Sequence, residues 1–538
     1  MKSATHFPKH LYLIASGNTP PHHKPNRDNM GSKAFNLLRM ADIGLPVPPA
    51  LVIGTHYTKV PDECMLPVFS VGLPALEDAA GLVIGDPRKP LIVSVRSGAA
   101  VSMPGVMETL LNIGLCDQTI AGLLRQTGNP RLIWDAYRRL IASYGEVVAG
   151  LSACVFEDEI ERAAQGRDER LLDFSELRDL TRRFLALYQQ HAGHAFPQDV
   201  NAQLSGAIRA VFASWHAEKA QAYCKLNQID PAMGTAVIIQ SMVFGNSGGH
   251  AGAGVGFTRD PMTGERRLWV DFLANAQGED VVSGRRNAHG HQVLASVAPQ
   301  AWLRLEEAAQ TLEREFTDMQ DFEFTVQDGV LHLLQTRSGK RTALAAARIA
   351  LDLMDEGMID AATALERTAE LQEENIGTVR LASLGEPDTQ ANLLGRAIPA
   401  CPGVASGEIA LDGQRAAARA GDGAAIILVR QDAQTSDIAA LESALGLLTQ
   451  RGARTSHAAV VARQLGKVCL VGCENLRIDL AARTLRLGDR VLNEGDVITL
   501  DGNEGSVYSG TVAAVMVPDE ALLERLRSLR SVSKARKI

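Results

Sequence analysis

The sequence predicts a multidomain protein of mixed α/β and α+β architecture. Three observations carry that expectation. The chain has 538 residues, too many for one ordinary hydrophobic core. Strand-like runs with glycine-rich turns lie on either side of a block, about 115–230, whose apolar spacing is helical. Beyond about residue 392 the pattern changes to short strands and turns, as in a compact α/β unit. The expected boundaries are 1–340 for a first domain with its helical insert and 341–392 for a helical segment and linker. A second α/β domain follows at 393–512, then a C-terminal helix and basic tail at 513–538.

Composition removes several classes. A formal net charge of -8 argues against a general nucleic-acid binder, while leaving room for a local basic pocket. No apolar run approaches the ~20 residues needed to cross a bilayer, and the first ten residues offer no signal-peptide core. Neither a nucleic-acid nor a membrane partner is expected. Seven scattered cysteines, an odd number, fit reduced thiols in a cytoplasm. Cys469 and Cys473 lack a second ligand pair and read as buried thiols flanking a strand.

In chain order, residues 1–30 read as a loosely held lead-in with Pro20-Pro-His-His-Lys-Pro25. Gly31 to Met40 has helical spacing running on to Gly44, where Pro46, Pro48 and Pro49 force an extended exit. Lys33, beside a glycine at that helix start, is a candidate phosphate ligand; a solvated surface lysine is the plain alternative. Leu91 onward is a β-branched strand expected to deliver Arg96 into a loop of small residues that ends at a helix near Thr109. Such a loop lets backbone N–H groups approach a polyphosphate, and a guanidinium adds planar, multi-donor contacts. Strand signals return at Gly234 to Gly245, followed by the glycine-rich Asn246 to Gly254. Alternating apolar residues beside a mobile glycine loop suit a nucleotide held between a sheet and a lid; an ordinary hairpin would also use those glycines.

The sharpest constellation runs from Asp321 to Arg337. Period-2 alternation puts Asp321 and Glu323 on one face of one strand, and Gln335 and Arg337 on one face of the next. Two carboxylates so spaced make a hard-oxygen site for Mg²⁺, which usually also takes phosphate oxygens. A two-residue Asp328-Gly329 turn would leave the two pairs on opposite faces. A three-residue Gln-Asp-Gly loop with a bulge would bring all four to one side, and that loop is the expectation.

A helical stretch from Thr342 to about Thr378 precedes a Gly/Pro/Asp-containing linker around 384–390, and the second α/β unit follows. There the run Leu445 to Leu448 is short enough for a buried strand, and Gly452-Ala-Arg-Thr-Ser-His457 leads into apolar helical spacing that closes at Gly466. Thr455 or Ser456 can cap this helix, with Gly466 ending it in the left-handed conformation. His457 then lies in the first turn. Free N–H groups and the positive end of the helix dipole there keep the imidazole neutral and nucleophilic, and favour a phosphoryl group once attached. A histidine that merely helps to cap its helix is the alternative for a lone residue. Residues 519–530 form an amphipathic helix with Leu522, Leu526 and Leu529 on one side, able to pack on its own domain or to dock a partner.

Five segments together resemble the pyruvate, phosphate dikinases. They begin at Val93, Asn275, Met319, Leu334 and Thr455, and end at Thr109, Val282, Val326, Thr342 and Arg463. The resemblance implies an ATP-grasp nucleotide domain, a linker and a swivelling phosphohistidine domain. It further implies that ATP phosphorylates His457 through its β-phosphoryl group while inorganic phosphate takes the γ-phosphoryl, giving AMP and pyrophosphate. By the same resemblance Lys33 and Arg96 contact phosphates, Gly105 and Thr109 lie in the loop at the terminal phosphate, and Gln240, Met242 and Val243 hold the adenine. Glu279 is similar to a ribose ligand, Asp321 and Glu323 hold Mg²⁺, and Gln335 and Arg337 orient the transferred group. Arg96, Arg337 and His457 are the residues expected to act in catalysis.

Two departures stand out. Gly452-Ala453-Arg454 replaces the family's Gly-Gly-Met, so that Arg454 either adds charge beside the phosphohistidine or alters what docks there. Gly248-Gly249-His250 stands where the family tends to have acidic residues. No residue is assignable to the pyruvate chemistry that the family places in a following TIM barrel. The expectation is an ATP-dependent phosphotransferase that works with a separate barrel protein, for which the leucine face of the last helix is a candidate dock. Transfer to a different small molecule and a non-catalytic nucleotide-sensing remnant are the rival readings. The oligomeric state stays open, a homodimer included.

Overall fold

The computed structural model describes residues 7–16, 24–101, 103, 107–282, 290–382, 392–432, 437–454 and 456–535. The chain divides into two compact units, Met1–Gly249 with Val326–Thr336, and His250–Thr325 with Arg337–Ile538. The division gives a multidomain protein of mixed α and β structure.

The first unit is built on a five-stranded antiparallel sheet. Its strands are β1 (Leu11–Ile14), β2 (Ala50–Ile53), β3 (Val93–Ala99), β4 (Thr109–Ile113) and β5 (Thr235–Ser241), in the spatial order β1-β2-β5-β3-β4. Helices supply the other layer. In the helical insert α2 (Pro130–Val147) and α3 (Phe174–Ala192) bury Leu140, Ile141, Leu180 and Phe184 in one core with Val93, Val95, Leu110 and Ile113. Asp173 caps α3 by accepting from Ser175 and Glu176, and Gly193 ends it with φ 77°. The expected helix at Thr109 is not there. The loop after β3 returns as β4, because Leu110 and Ile113 bury themselves in the sheet core rather than on a helix face.

Among the described residues the second unit holds four sheets, the two largest having four and eight strands. The first has the order β9-β8-β6-β7, from β6 (Gly252–Phe257), β7 (Trp269–Ala274), β8 (Gln320–Gln327) and β9 (Val330–Ser338), with β8 and β9 crossing between the units at Val326 and Thr336. The glycine-rich stretch is here a strand rather than a mobile loop from Gly252 on. A Cβ on Gly252, Gly254 or Gly256 would lie 2.1, 2.4 or 2.5 Å from the rings of Phe272, Phe324 and Phe322. The missing side chains are what let those rings pack on the sheet.

The eight-stranded sheet comprises β10 (Leu393–Arg396), β11 (Ile398–Cys401), β12 (Val404–Ala410), β13 (Ile426–Arg430), β14 (Gly446–Thr449), β15 (Val468–Val471), β16 (Val497–Asp501) and β17 (Ser506–Ser509). Its order is β10-β17-β16-β12-β13-β14-β15-β11, with the β12-β13-β14-β15 segment parallel. Alternation fills both faces: Ile427, Leu448 and Leu470 enter one core, while Ile426, Leu428, Leu447 and Cys469 enter the other. Cys469 and Cys473 are both buried free thiols, as expected.

The segment after Thr342 forms α4 (Ala343–Asp355) and the shorter helix Ala361–Thr368, and then a strand, Gly377–Leu381, pairs antiparallel with Ala514–Pro518. The last helix is α6 (Glu520–Ala535). Its leucine face is not available as a dock. Leu522, Leu526 and Leu529 are buried against Leu344, Ala347 and Leu351 of α4, with Arg348–Asp519 (2.7 Å) and Arg525–Asp352 (2.8 Å) alongside. The stripe is the inner face of a long-range helix pair, which no local pattern distinguishes from an open one. Among the described residues no helix is long and apolar enough to cross a membrane.

Candidate functional site

In the first unit the candidate phosphate residues converge on the end of β3. The helix α1 (Arg27–Asp42) is interrupted at Gly31, whose φ of 76° and ψ of 153° are essentially open only to glycine. A Cβ there would stand 1.8 Å from the Gly98 carbonyl oxygen, so the two backbones touch. Ser32 Oγ donates to the Ala99 carbonyl at 3.0 Å. Lys33 therefore opens the regular part of α1 against the strand that carries Arg96. Arg96 sits within β3 rather than in a loop and pairs directly with Thr109 across the ladder. Gly105 lies outside the described residues. Asn36, buried on α1, donates from Nδ2 to the Thr336 carbonyl at 2.8 Å, which ties this helix to the strand of Gln335.

The expected adenine residues follow β5. Gln240 is buried and its Nε2 donates to the Pro48 carbonyl at 3.2 Å, so its amide braces the sheet. Met242 N–H donates to the Ile92 carbonyl at 2.9 Å, leaving the half-buried Met242 and Val243 at the strand's end. Glu279 is exposed on the short helix Gly278–Val282 of the second unit.

The β8–β9 hairpin corrects the expected turn. It has two turn residues, Asp328 with φ 51° and Gly329 with φ 79°, the pair of left-handed residues that an Asp-Gly hairpin turn favours. Counted from that turn Met319 would face Ser338, but Gly339 N–H donates to the Met319 carbonyl at 3.1 Å. The nine-residue β9 is thus one residue out of step with the eight-residue β8 by its far end. The predicted bulged loop is absent, and the shift inside the strands runs the other way: it sets Asp321 opposite Arg337, where the bulged loop would have set it opposite Gln335. Asp321 and Arg337 meet all the same, with Arg337 Nε donating to Asp321 Oδ2 at 2.8 Å.

Burial pushes the Asp321 carboxyl above its ordinary range; Arg337 and, further off, Arg463 oppose that, while Glu323 adds to it. The same carboxylates hold Arg337 firmly charged, Asp321 foremost. Two oxygen donors on one face, one of them wholly buried, suit a hard divalent cation such as Mg²⁺. Among the described residues no group of three or more His, Cys, Asp or Glu could hold a metal ion.

The helix α5 (His457–Gln464) begins at His457, capped by Ser456, whose Oγ accepts from Ala459 N at 3.4 Å; Gly466 follows with φ 65°. Both ends are as the sequence predicts. Ala459 and Ala462 pack α5 on the eight-stranded sheet. Its other neighbour is the face of the four-stranded sheet that bears the carboxylates. Phe322 lies over Gly256, so Asp321 and Glu323 point to the opposite face, shared with Phe257. Phe257 pairs with Trp269 and Val255 with Asp271, which puts Trp269 and Asp271 on that face too. Arg463 of α5 lies with its guanidinium carbon 5.5 Å from the Phe257 ring centroid. Arg454, three residues before His457, binds Asp271 Oδ1 through Nε (3.0 Å) and Nη2 (2.6 Å), 4.0 Å from the Trp269 centroid.

Arg463, Phe257, Trp269 and Asp271 were not singled out from sequence. The signal for Asp271 was present: it is a lone acid in an otherwise apolar strand, and such a charge needs a partner.

A sheet that sets Arg96 beside Thr109, joined in sequence to an α/β unit whose helix opens at His457, is an arrangement that two family descriptions match. Residues 423–505 match the family described as PEP-utilising enzyme, mobile domain. The particular family is that of the pyruvate, phosphate dikinases: residues 75–297 match the pyruvate phosphate dikinase AMP/ATP-binding domain. The chain is 40% identical over 515 residues to the chloroplastic pyruvate, phosphate dikinase of Mesembryanthemum crystallinum, covering 94% of this chain and 54% of that protein. It is 39% identical over 531 residues to the pyruvate, phosphate dikinase of Clostridium symbiosum, with 96% and 60% covered. For that of Rhizobium meliloti the figures are 40% over 516 residues, 90% and 56%. The chain thus spans a little over half the length of these curated relatives.

Proposed function

We propose that the protein is an ATP-dependent phosphotransferase of the pyruvate, phosphate dikinase type that phosphorylates its own His457. The observation that supports this reading most is the seating of α5, which begins at His457, on the sheet face that bears Asp321, Glu323 and Arg337. The first domain is then an ATP-grasp fold. Lys33, Arg96, Thr109 and Gly105 take the phosphates, Gln240, Met242 and Val243 line the adenine, and Glu279 meets the ribose. Asp321 and Glu323 would hold Mg²⁺, which when bound neutralises phosphate charge. Gln335 and Arg337 orient the transferred group, while the helix N-terminus keeps the imidazole of His457 unprotonated for attack. The β-phosphoryl of ATP ends on His457, the γ-phosphoryl joins inorganic phosphate as pyrophosphate, and AMP leaves. The phosphoryl group then passes, by swivelling of the second α/β domain, to pyruvate held by a separate barrel protein in the cytoplasm.

Incubation with ATP labelled at the β-phosphorus, Mg²⁺ and phosphate is expected to place acid-labile label on the chain, with AMP and pyrophosphate as products. His457→Ala should abolish it. Parental rates of AMP and pyrophosphate formation by that variant would overturn the reading. Adding pyruvate with and without a candidate barrel protein tests the second step, with phosphoenolpyruvate expected only in the complete mixture.

A further inference from the structure

Arg454 is the side chain by which this sequence departs from the dikinase pattern beside His457, and the structure gives it a job. Two of its nitrogens share one oxygen of Asp271, a carboxylate only 1% exposed, while its guanidinium plane covers Trp269. Both partners belong to β7, on the face shared by Asp321 and Glu323. From the other side Arg463 Nη2 donates to the Arg454 carbonyl (3.2 Å) and to the Ala400 carbonyl (2.9 Å), which fixes the loop to the mobile domain. Ala453, next in the chain, is buried as well. The segment that carries His457 is therefore held to its own domain by main-chain carbonyls and to the four-stranded sheet by the side chain of Arg454, with Arg463 over Phe257.

We propose that Arg454 is a latch residue, a positioning group that holds the mobile domain in the docked state in which His457 faces the nucleotide. This rests on the reading of His457 given above. The chemistry suits a reversible clasp. A guanidinium stacked on an indole and paired with a buried carboxylate is strong when water is excluded, yet both partners are solvated readily once the faces part. A methionine at this position would keep the apolar contact with Trp269 and lose the ion pair. The latch would also set how fast the phosphorylated domain leaves.

The test compares the parent with Arg454→Met, Asp271→Asn, the double variant and Arg454→Lys. Single-turnover labelling of the histidine at saturating ATP and amide exchange in Trp269–Ala274 are the two readouts. Each single variant should slow labelling about tenfold at unchanged ATP affinity and speed exchange in the strand. The double variant should be no slower than the worse single, and Arg454→Lys should recover only part, lacking the planar fork. A residue that merely supported the fold would lower the unfolding midpoint and ATP affinity instead. Parental labelling by Arg454→Met, or losses that multiply in the double variant, would overturn the latch. Should the parent itself take no label, the phosphotransfer reading fails, and strand exchange alone decides the latch: faster exchange in both single variants upholds it, unchanged exchange refutes it.

Discussion

The candidate phosphate residues of the first unit and the histidine helix of the second are held in place by different kinds of bond. Lys33, Arg96 and Thr109 are fixed by main chain: Gly31 against Gly98, and Arg96 paired with Thr109 in the ladder. The segment at His457 reaches its sheet through side chains, Arg454 on Asp271 and Trp269 and Arg463 over Phe257. Backbone contact inside a sheet core yields only when the unit unfolds. A few ionic and cation–π contacts yield to water, salt or one substitution. On the proposed mechanism, a part that must stay and a part that must leave call for these two constructions.

The comparison breaks most visibly at Gly31. Gly31→Ala places a Cβ 1.8 Å from a backbone oxygen, at a φ of 76° and ψ of 153° that L-residues avoid. We expect a loss of at least about 3 kcal/mol in the stability of the first unit, read by denaturant unfolding, together with weaker ATP binding. Next in size is Leu526→Ala. That side chain is fully buried between α6 and α4, so about 3 kcal/mol should be lost from the second unit. Exchange in Trp269–Ala274 should stay as in the parent at temperatures where the variant is folded, because the C-terminal helix belongs to the permanent scaffold. Faster exchange there would show that docking depends on the whole unit rather than on the contacts around His457.

Salt is a gentler probe of the same contrast. Raising ionic strength from about 0.1 to about 1 M shortens the screening length from about 10 to about 3 Å. The Arg454 side chain is 23% exposed, so its pairing should weaken by up to about 1 kcal/mol, seen as faster exchange in β7. The unfolding midpoint of the first unit, held by main-chain contact and apolar burial, should not fall in parallel. Equal sensitivity of both would remove the distinction.

What was legible in the sequence follows the range of the interaction. The cap and stop of α5 were readable because Ser456 and Gly466 act within a few residues. Asp321 and Arg337 were readable as a converging pair because strand periodicity is local, yet the device that brings them together was not. The Asp328-Gly329 dipeptide takes its ordinary two-residue turn, and the shift lies in the strands. The glycines of β6 are spaced for three phenylalanine rings, two of them about seventy residues away, and so resembled a loop. The leucines of α6 find their partners on α4 some 180 residues earlier, and Arg454 finds Asp271 at a similar distance. Pairings of that span depend on the assembled fold.

The smallest effect concerns acid. His332 lies half-buried on β9, in the portion that belongs to the first unit, and burial lowers its pKa below the ordinary 6.5. The unfolded chain therefore takes up this proton first. The stability that neutral His332 permits is complete above pH 6.5 and is lost as pH falls through the lower folded-state value. In the second unit Asp318 is raised by burial but lowered more by its bonds to Arg341, so its net shift is below 3.8 and its loss comes only in stronger acid. Between pH 6.5 and 5 the contribution of His332 should accordingly fall on the first unit. His332→Gln should flatten that unit's midpoint against pH in this window and leave the second unit's curve unchanged, as followed by unfolding with a probe in each. A parental slope in the variant would place the acid sensitivity elsewhere.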